Sequence, residues 1–170
     1  GLTAGCAVGA ACGVGGGAAA TGAVSVDERV LEILRVEAGR PLFPVDLDER
    51  TIPLEAGIED RAISLTKGCY VGQEVIIRIL HRGQGKVARK LVGLTVMEAA
   101  STVPIRNAKL FDNEKEVGHI TSAVQSPALG CPIALGYVHR DYAAPGMQVQ
   151  IQDQSHGQTG TVTKLPFITP

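Results

Sequence analysis

The chain has 170 residues, of which 45% are hydrophobic and 19% charged, and a formal charge of −1 at pH 7. That composition belongs to a globular chain with room for one or two compact cores, and it excludes disorder, a coiled coil and a basic nucleic-acid binder. Aromatic residues are only 4% with no Trp, which excludes a stacking platform for bases, and glycines interrupt every apolar run long enough to span a membrane.

The first segment, residues 1–24, holds eight Gly and eight Ala and no charge. Glycine at that density resists a helix, and without a basic leader the segment does not read as a signal peptide. It is expected to be an irregular lead-in, the end of an upstream domain. A helix is predicted over Val26 to Ala38. Ser25 and Glu28 form a capping box before the apolar series Val30, Leu31, Leu34 and Ala38, and Gly39 and Pro41 end it. From Asp27 to Asp60 there are ten acidic and four basic residues, with three prolines after position 40. This stretch reads as an acidic, extended connector with local turns.

A second amphipathic run starts at Gly72, with Val75, Ile76, Ile79 and Leu80 on one helical face and Gly83 as its stop, although its β-branched residues locally favour a strand. Basic residues follow at Arg78, Arg82, Lys86, Arg89 and Lys90 without an acid among them, either a solvated face or an anion site. From Lys86 onward the pattern turns to strands: Val87 to Met97, a pair bracketing Asp112-Asn113, His119 to Val124, and Ile133 to Val138. Met147, Val149 and Ile151 alternate with Gln148, Gln150 and Gln152, giving one apolar face and one wet face. Gly157 and Gly160 are expected to bracket a turn into a last strand around Val162. About six short strands with frequent turn residues predict a small closed or half-closed β-barrel.

Cys6, Cys12, Cys69 and Cys131 form no C-x-x-C pair, and no Cys/His cluster has metal-ligand spacing, so no metal site is expected. The spacing also lacks the look of a disulfide framework, which points to a reducing compartment. Cys69 stands beside Lys67 and ahead of a predicted helix N-terminus, two features that favour thiolate, while Gly68 and Gly72 allow an exposing turn. The residues alone leave Cys69 either a reactive thiol or a packing residue. Glu37 sits in a last helical turn, where a carboxylate is disfavoured by the helix dipole. It either pairs with Arg35 or Arg40, or accepts two N–H bonds from an aminopyrimidine ring.

At these residues a family resemblance becomes specific. Lys67-Gly68-Cys69-Tyr70-Val71-Gly72-Gln73-Glu74 resembles the signature of YgfZ-type folate-binding proteins, relatives of the glycine-cleavage T-protein, an aminomethyltransferase. Leu34-Arg35-Val36-Glu37-Ala38-Gly39 is similar to the R-x-E-x-G segment of both groups, and Pro53-Leu54-Glu55-Ala56-Gly57 to the segment that leads into the signature. Ser126 to Gly130, Ile133 to Val138 and the ending Lys164-Leu165-Pro166-Phe167 resemble the T-protein's C-terminal barrel. The resemblance covers about residues 26–170.

What the resemblance implies is an α+β chain forming the C-terminal part of a three-domain cloverleaf and ending in a small antiparallel Greek-key β-barrel. Residues 1–24 would close an upstream domain, 25–85 would be the tail of the folate-binding domains, and 86–170 the barrel. Tetrahydrofolate is the implied cofactor, with Glu37 matching the pterin-contacting glutamate. Lys67, Arg78 and Arg82 fall where a basic lining meets the folate's glutamate tail. Cys69 matches the cysteine on which YgfZ-type function depends, as a transient nucleophile, sulfur ligand or redox group.

The expected function is therefore tetrahydrofolate binding in support of iron–sulfur cluster assembly or repair. The expected partners are folate, iron–sulfur client enzymes and a missing N-terminal half of the same protein that carries the T-protein's catalytic aspartate, with no nucleic acid and no membrane. Two alternatives stand beside it: a folate-dependent aminomethyltransferase or related demethylase, and a non-catalytic barrel that serves as an interaction module. The implied location is the cytoplasm, or the mitochondrial matrix in a eukaryote.

Overall fold

A computed structural model describes residues 24–96, 102–152 and 157–168. The Gly/Ala-rich expectation for residues 1–23 lies outside them. Helix α1 spans Glu28–Glu37. The capping box expected at Ser25 is replaced by Asp27, whose carboxylate accepts from Arg29 N at 2.9 Å. Placed there, Asp27 meets an otherwise orphaned N–H, and Glu28 complements the dipole in the first turn. The far end closes as expected. Gly39 is left-handed at φ +61°, Gly39 N donates to Val36 O and Arg40 N to Arg35 O, a Schellman pair.

The packed face of α1 differs from the expected one. Val30, Leu31 and Leu34 are 41–56% exposed, whereas Val36 is fully buried and Ile33 packs beside it. The helix is apolar on more than one side, and it is the Ile33–Val36 side that meets the barrel.

The connector is less extended than its composition suggests. It holds two one-turn helices, α2 (Pro53–Ala56) and α3 (Glu59–Ala62). Pro53 opens α2 at the position where its missing N–H costs nothing, and Gly57 ends it at φ +64°. The predicted second run is α4 (Gln73–His81), led by left-handed Gly72. Its Ile76 joins Leu54 and Val87 in a small cluster that ties α2 and α4 to the start of the barrel.

Six antiparallel strands follow: β1 (Arg89–Val96), β2 (Lys109–Asp112), β3 (Lys115–Gln125), β4 (Pro132–His139), β5 (Gln148–Gln152) and β6 (Gly157–Thr163). They close in the order β1-β4-β3-β2-β5-β6. Three consecutive strands pair as a meander and β1 returns beside the last of them, the Greek-key arrangement. Closure leaves no free sheet edge. The inner core is Leu94, Leu110, Ile120, Val138, Ile151 and Val162 with their neighbours. Val149 and Ile151 point inward and the glutamines outward, as the alternation of β5 predicts.

Strand β4 is buried on both faces, which is why Ile133 to Val138 reads as an unbroken apolar run. Ala134 and Val138 face the inner core. Ile133, Leu135 and Tyr137 face outward beneath Val36 of α1 and Leu165 and Phe167 of the C-terminal tail. Gly93 makes room for that tail, since a Cβ there would lie 2.6 Å from the Phe167 ring. Gly157 and Gly160 belong to β6 itself, not to a turn before it. A Cβ on Gly160 would stand 2.9 Å from Ile151 Cδ1, so the missing side chain admits the core isoleucine.

The two expected strands around Val117 and His119 are one long strand, β3, with a bulge between Ile120 and Ser122. A bulge leaves a residue out of the ladder and re-aims it, and here that residue is Thr121.

Candidate functional site

The bulge explains the most connected polar group among the described residues. Thr121 Oγ1 and Ser122 Oγ both donate to Oδ1 of Asp46, Ser122 at 2.7 Å. Oδ2 of Asp46 takes Leu42 N at 2.9 Å and Nη1 of Arg35. The Asp46 side chain is fully buried and that of Arg35 is 12% exposed. Arg35 also donates to Arg40 O at 2.8 Å, to Ser122 Oγ at 2.8 Å, and through two nitrogens to Glu32. Burial works to lower the Arg35 pKa, but the Glu32 hydrogen bond and the charge of Asp46 outweigh it and the guanidinium is held more firmly protonated. A buried ion pair persists when its remaining donors and acceptors are filled, as they are here. The network rivets α1 and the first turn of the connector to β3.

Beside it, Tyr137 on β4 lies across from His119 on β3, their ring centroids 6.0 Å apart. The Arg89 guanidinium stacks 4.9 Å from the Tyr137 centroid, and its Nε donates to Glu55 at 2.9 Å. Burial pushes the Tyr137 hydroxyl up to about 12, with Arg89 acting the other way. Burial, assisted by Arg89, lowers the His119 pKa against the pull of Glu116. Arg89 thus leaves the predicted basic run to serve the barrel. Lys86 and Lys90 remain on the surface, lining an open cleft of about 610 Å³ with Arg140 and Asp141.

The residues singled out by sequence fall in two places. Glu37 is buried where α1, the β3–β4 turn and the tail meet. It pairs with neither Arg35 nor Arg40; its Oε1 accepts from the fully buried Ser126, whose oxygen also takes Leu129 N at 3.1 Å. The Glu37 carbonyl accepts Phe167 N at 3.0 Å and Ile168 N at 3.3 Å, so the residue also anchors the tail. Its second carboxylate oxygen has no partner among the described residues. For an aminopyrimidine ring that oxygen is the available acceptor, and two-point acceptance requires Ser126 to yield the other.

Cys69, Lys67, Arg78 and Arg82 lie away from Glu37, around the start and the outer face of α4. Cys69 is an exposed free thiol. Lys67 places its ammonium 5.7 Å from the Tyr70 ring centroid, and Gln73 N closes the turn onto Tyr70 O at 3.2 Å. Arg78 and Arg82 are exposed. No group of three or more His, Cys, Asp or Glu side chains among the described residues is arranged to hold a metal ion. No helix among them is long and apolar enough to cross a membrane.

Sequence reasoning missed Asp46, Thr121, Ser122 and Tyr137. One signal was available: Thr121-Ser122 is a polar pair set between the apolar residues Ile120 and Ala123-Val124, and buried hydroxyls need partners.

Comparison with known proteins agrees with this architecture. Residues 89–168 match the family model described as the glycine cleavage T-protein C-terminal barrel domain. An aminomethyltransferase of Halothermothrix orenii is 35% identical over 137 residues, covering 81% of this chain and 37% of that protein. A mitochondrial aminomethyltransferase of Canis lupus familiaris is 35% identical over 140 residues, covering 80% of this chain and 33% of the relative. The crystal structure of glycine cleavage system aminomethyltransferase T from Bartonella henselae superposes with a TM-score of 0.70 at 30% identity, over 81% of this chain and 37% of that one. The chain thus spans about a third of the length of the curated relatives it matches. Residues 89–168 are similar in sequence and fold to the C-terminal barrel domain of the glycine cleavage T-protein.

Proposed function

We propose that the chain forms the C-terminal part of a tetrahydrofolate-dependent aminomethyltransferase. One observation carries this reading. The likeness to proteins named aminomethyltransferase runs over 137 residues, more than the barrel match at 89–168 supplies, and so extends into the helices that precede it. A barrel alone is a scaffold shared by many functions. Likeness in the helices that carry Glu37 is closer to the chemistry.

In this reading tetrahydrofolate supplies the acceptor nitrogen for a one-carbon unit delivered as an aminomethyl group on a lipoyl carrier. The residues of this chain bind and orient. Glu37 offers its open carboxylate oxygen to pterin N–H groups, Ser126 holds the other oxygen in place, and the Asp46 network fixes α1, and so Glu37, against the barrel. Lys67, Arg78 and Arg82 give the surface near α4 a positive charge suited to a glutamate tail. The reducing compartment assigned by the cysteines is cytoplasm or mitochondrial matrix.

A second reading is favoured by one feature, the exposed thiol of Cys69 within Lys67 to Glu74. It is iron–sulfur cluster assembly or repair with folate as a bound partner. Grafting decides between them. Residues 24–168 replace the corresponding C-terminal part of the Halothermothrix orenii aminomethyltransferase, and tetrahydrofolate-dependent ammonia release from the aminomethyl carrier is measured. Activity that survives Cys69→Ala supports the transferase. A folded chimera that binds folate and transfers nothing refutes it and leaves the second reading.

A further inference from the structure

The outer face of β3 and β4 carries a feature that neither reading uses. Between that face and the turn Pro44–Thr51 lies a polar cleft of about 190 Å³, whose walls include Arg89, Arg106, Asn107, His119 and Tyr137. It adjoins a wider groove of about 520 Å³ that shares Arg89, His119 and Tyr137. Tyr137 is 3% exposed, and its buried hydroxyl makes no hydrogen bond of normal length, the Thr51 side chain acting on it only weakly. Such a poorly satisfied group is costly, and a native site normally answers it.

The surrounding donors say what would answer it. Arg89 spends only Nε on Glu55, and Arg106 only Nη2 on Val45 O. Their other guanidinium N–H groups have no partner among the described residues. Of the acidic walls, the buried Asp46 has both oxygens filled, while Asp48, at the exposed rim, takes Thr51 Oγ1 and Arg50 N on Oδ1 at 2.9 Å each. Inside the rim the unpaired groups are mainly the N–H donors of two guanidinium groups, which suits an anion. Guanidinium forks match carboxylates, and the volume suits a small one.

We propose that this cleft binds a small carboxylate, with the Tyr137 hydroxyl and the Arg89 and Arg106 guanidinium groups as its donors. The proposal does not depend on the folate reading, because Glu37 and Cys69 lie outside the cleft.

The test is an NMR titration of the 170-residue chain with acetate at constant ionic strength, following the amides of Asn107, His119 and Thr121. Saturable shifts are expected with acetate and not with acetamide. Tyr137→Phe keeps the ring under Arg89 and removes only the hydroxyl, and it is expected to weaken binding at least about tenfold. Arg106→Gln, at an exposed position, gives a second variant in which the fold is not at stake, and it should weaken binding similarly. N-acetylglutamate separates the sources of the carboxylate: tighter binding than acetate indicates a side chain or tail of a larger molecule, weaker binding a free acid, and either supports the site. No saturable shift, equal response to acetamide, or unchanged affinity in both variants would overturn it, leaving a hydrated cavity.

Discussion

Replacing Asp46 by Ala removes the common acceptor of Arg35, Leu42 N, Thr121 and Ser122. Breaking a buried ion pair on one side costs about 3–5 kcal/mol, because the remaining charge stays buried without its partner. Here the Arg35 side chain is 12% exposed and keeps Glu32, which relieves part of the loss and places the expectation near about 3 kcal/mol. A domain of ordinary stability holds about 5–15 kcal/mol, so the variant should fold but melt about 6–12 °C lower. Urea unfolding at pH 7 followed by circular dichroism measures it. Adding Arg35→Met should return about 1–2 kcal/mol in a double-mutant cycle, since the stranded guanidinium is then gone. A loss below about 1 kcal/mol for Asp46→Ala, or strict additivity in the cycle, would refute the view that this pair fastens α1 to the barrel.

Other sites give independent checks. Gly118→Ala would put a Cβ 2.0 Å from Tyr137 O and 2.9 Å from Val138 Cα, both backbone atoms that cannot step aside. It should cost at least about 3 kcal/mol, whereas Gly146→Ala, with open space and φ +90°, should cost only about 1–2 kcal/mol. Tyr137 ionises near 12 in the folded chain and near 10 when unfolded. Its contribution is therefore complete below about pH 10 and lost between about pH 10 and 12, about 1–2 kcal/mol after allowance for partial solvent access. Unfolding as a function of pH should show that loss in the wild type and not in Tyr137→Phe. Ser126→Ala leaves the Glu37 carboxylate without its hydroxyl donor and should cost about 1–3 kcal/mol by chemical unfolding. Cys69→Ala, at an exposed position, should change stability by less than about 0.5 kcal/mol in the same assay.

Much of the fold was legible because its signals are local. The 3.6-residue spacing marks α4, strict alternation marks β5, and the apolar run marks β4 as a strand covered on both faces. The face on which α1 packs was misread, since a helix apolar on two sides gives no periodic signal of which side is covered. The site was less legible for a related reason. Asp46 meets its hydroxyl partners 75 and 76 residues away, and Glu37 meets Ser126 across 89. Pairing at that range is decided by strand register and by the bulge at Thr121, which no window of sequence displays. The signature around Cys69 stood out as a motif, yet its spacing carries no information about which side chains face it. The helix at Arg35 to Gly39 shows both effects at once: its Schellman ending follows from Gly39, while the partner of its glutamate follows only from the barrel.

The most direct test of the account is the affinity of the aminomethyltransferase chimera for tetrahydrofolate, by equilibrium titration, with Glu37 and with Glu37→Gln. Gln keeps the volume and the bond from Ser126 but turns one acceptor into a donor facing the pterin N–H groups. Loss of a charged acceptor is worth about 1.5–3 kcal/mol, so the account predicts Kd raised at least about tenfold with the melting temperature little changed. Equal Kd values for the two folded chimeras would contradict it and remove Glu37 from the folate site.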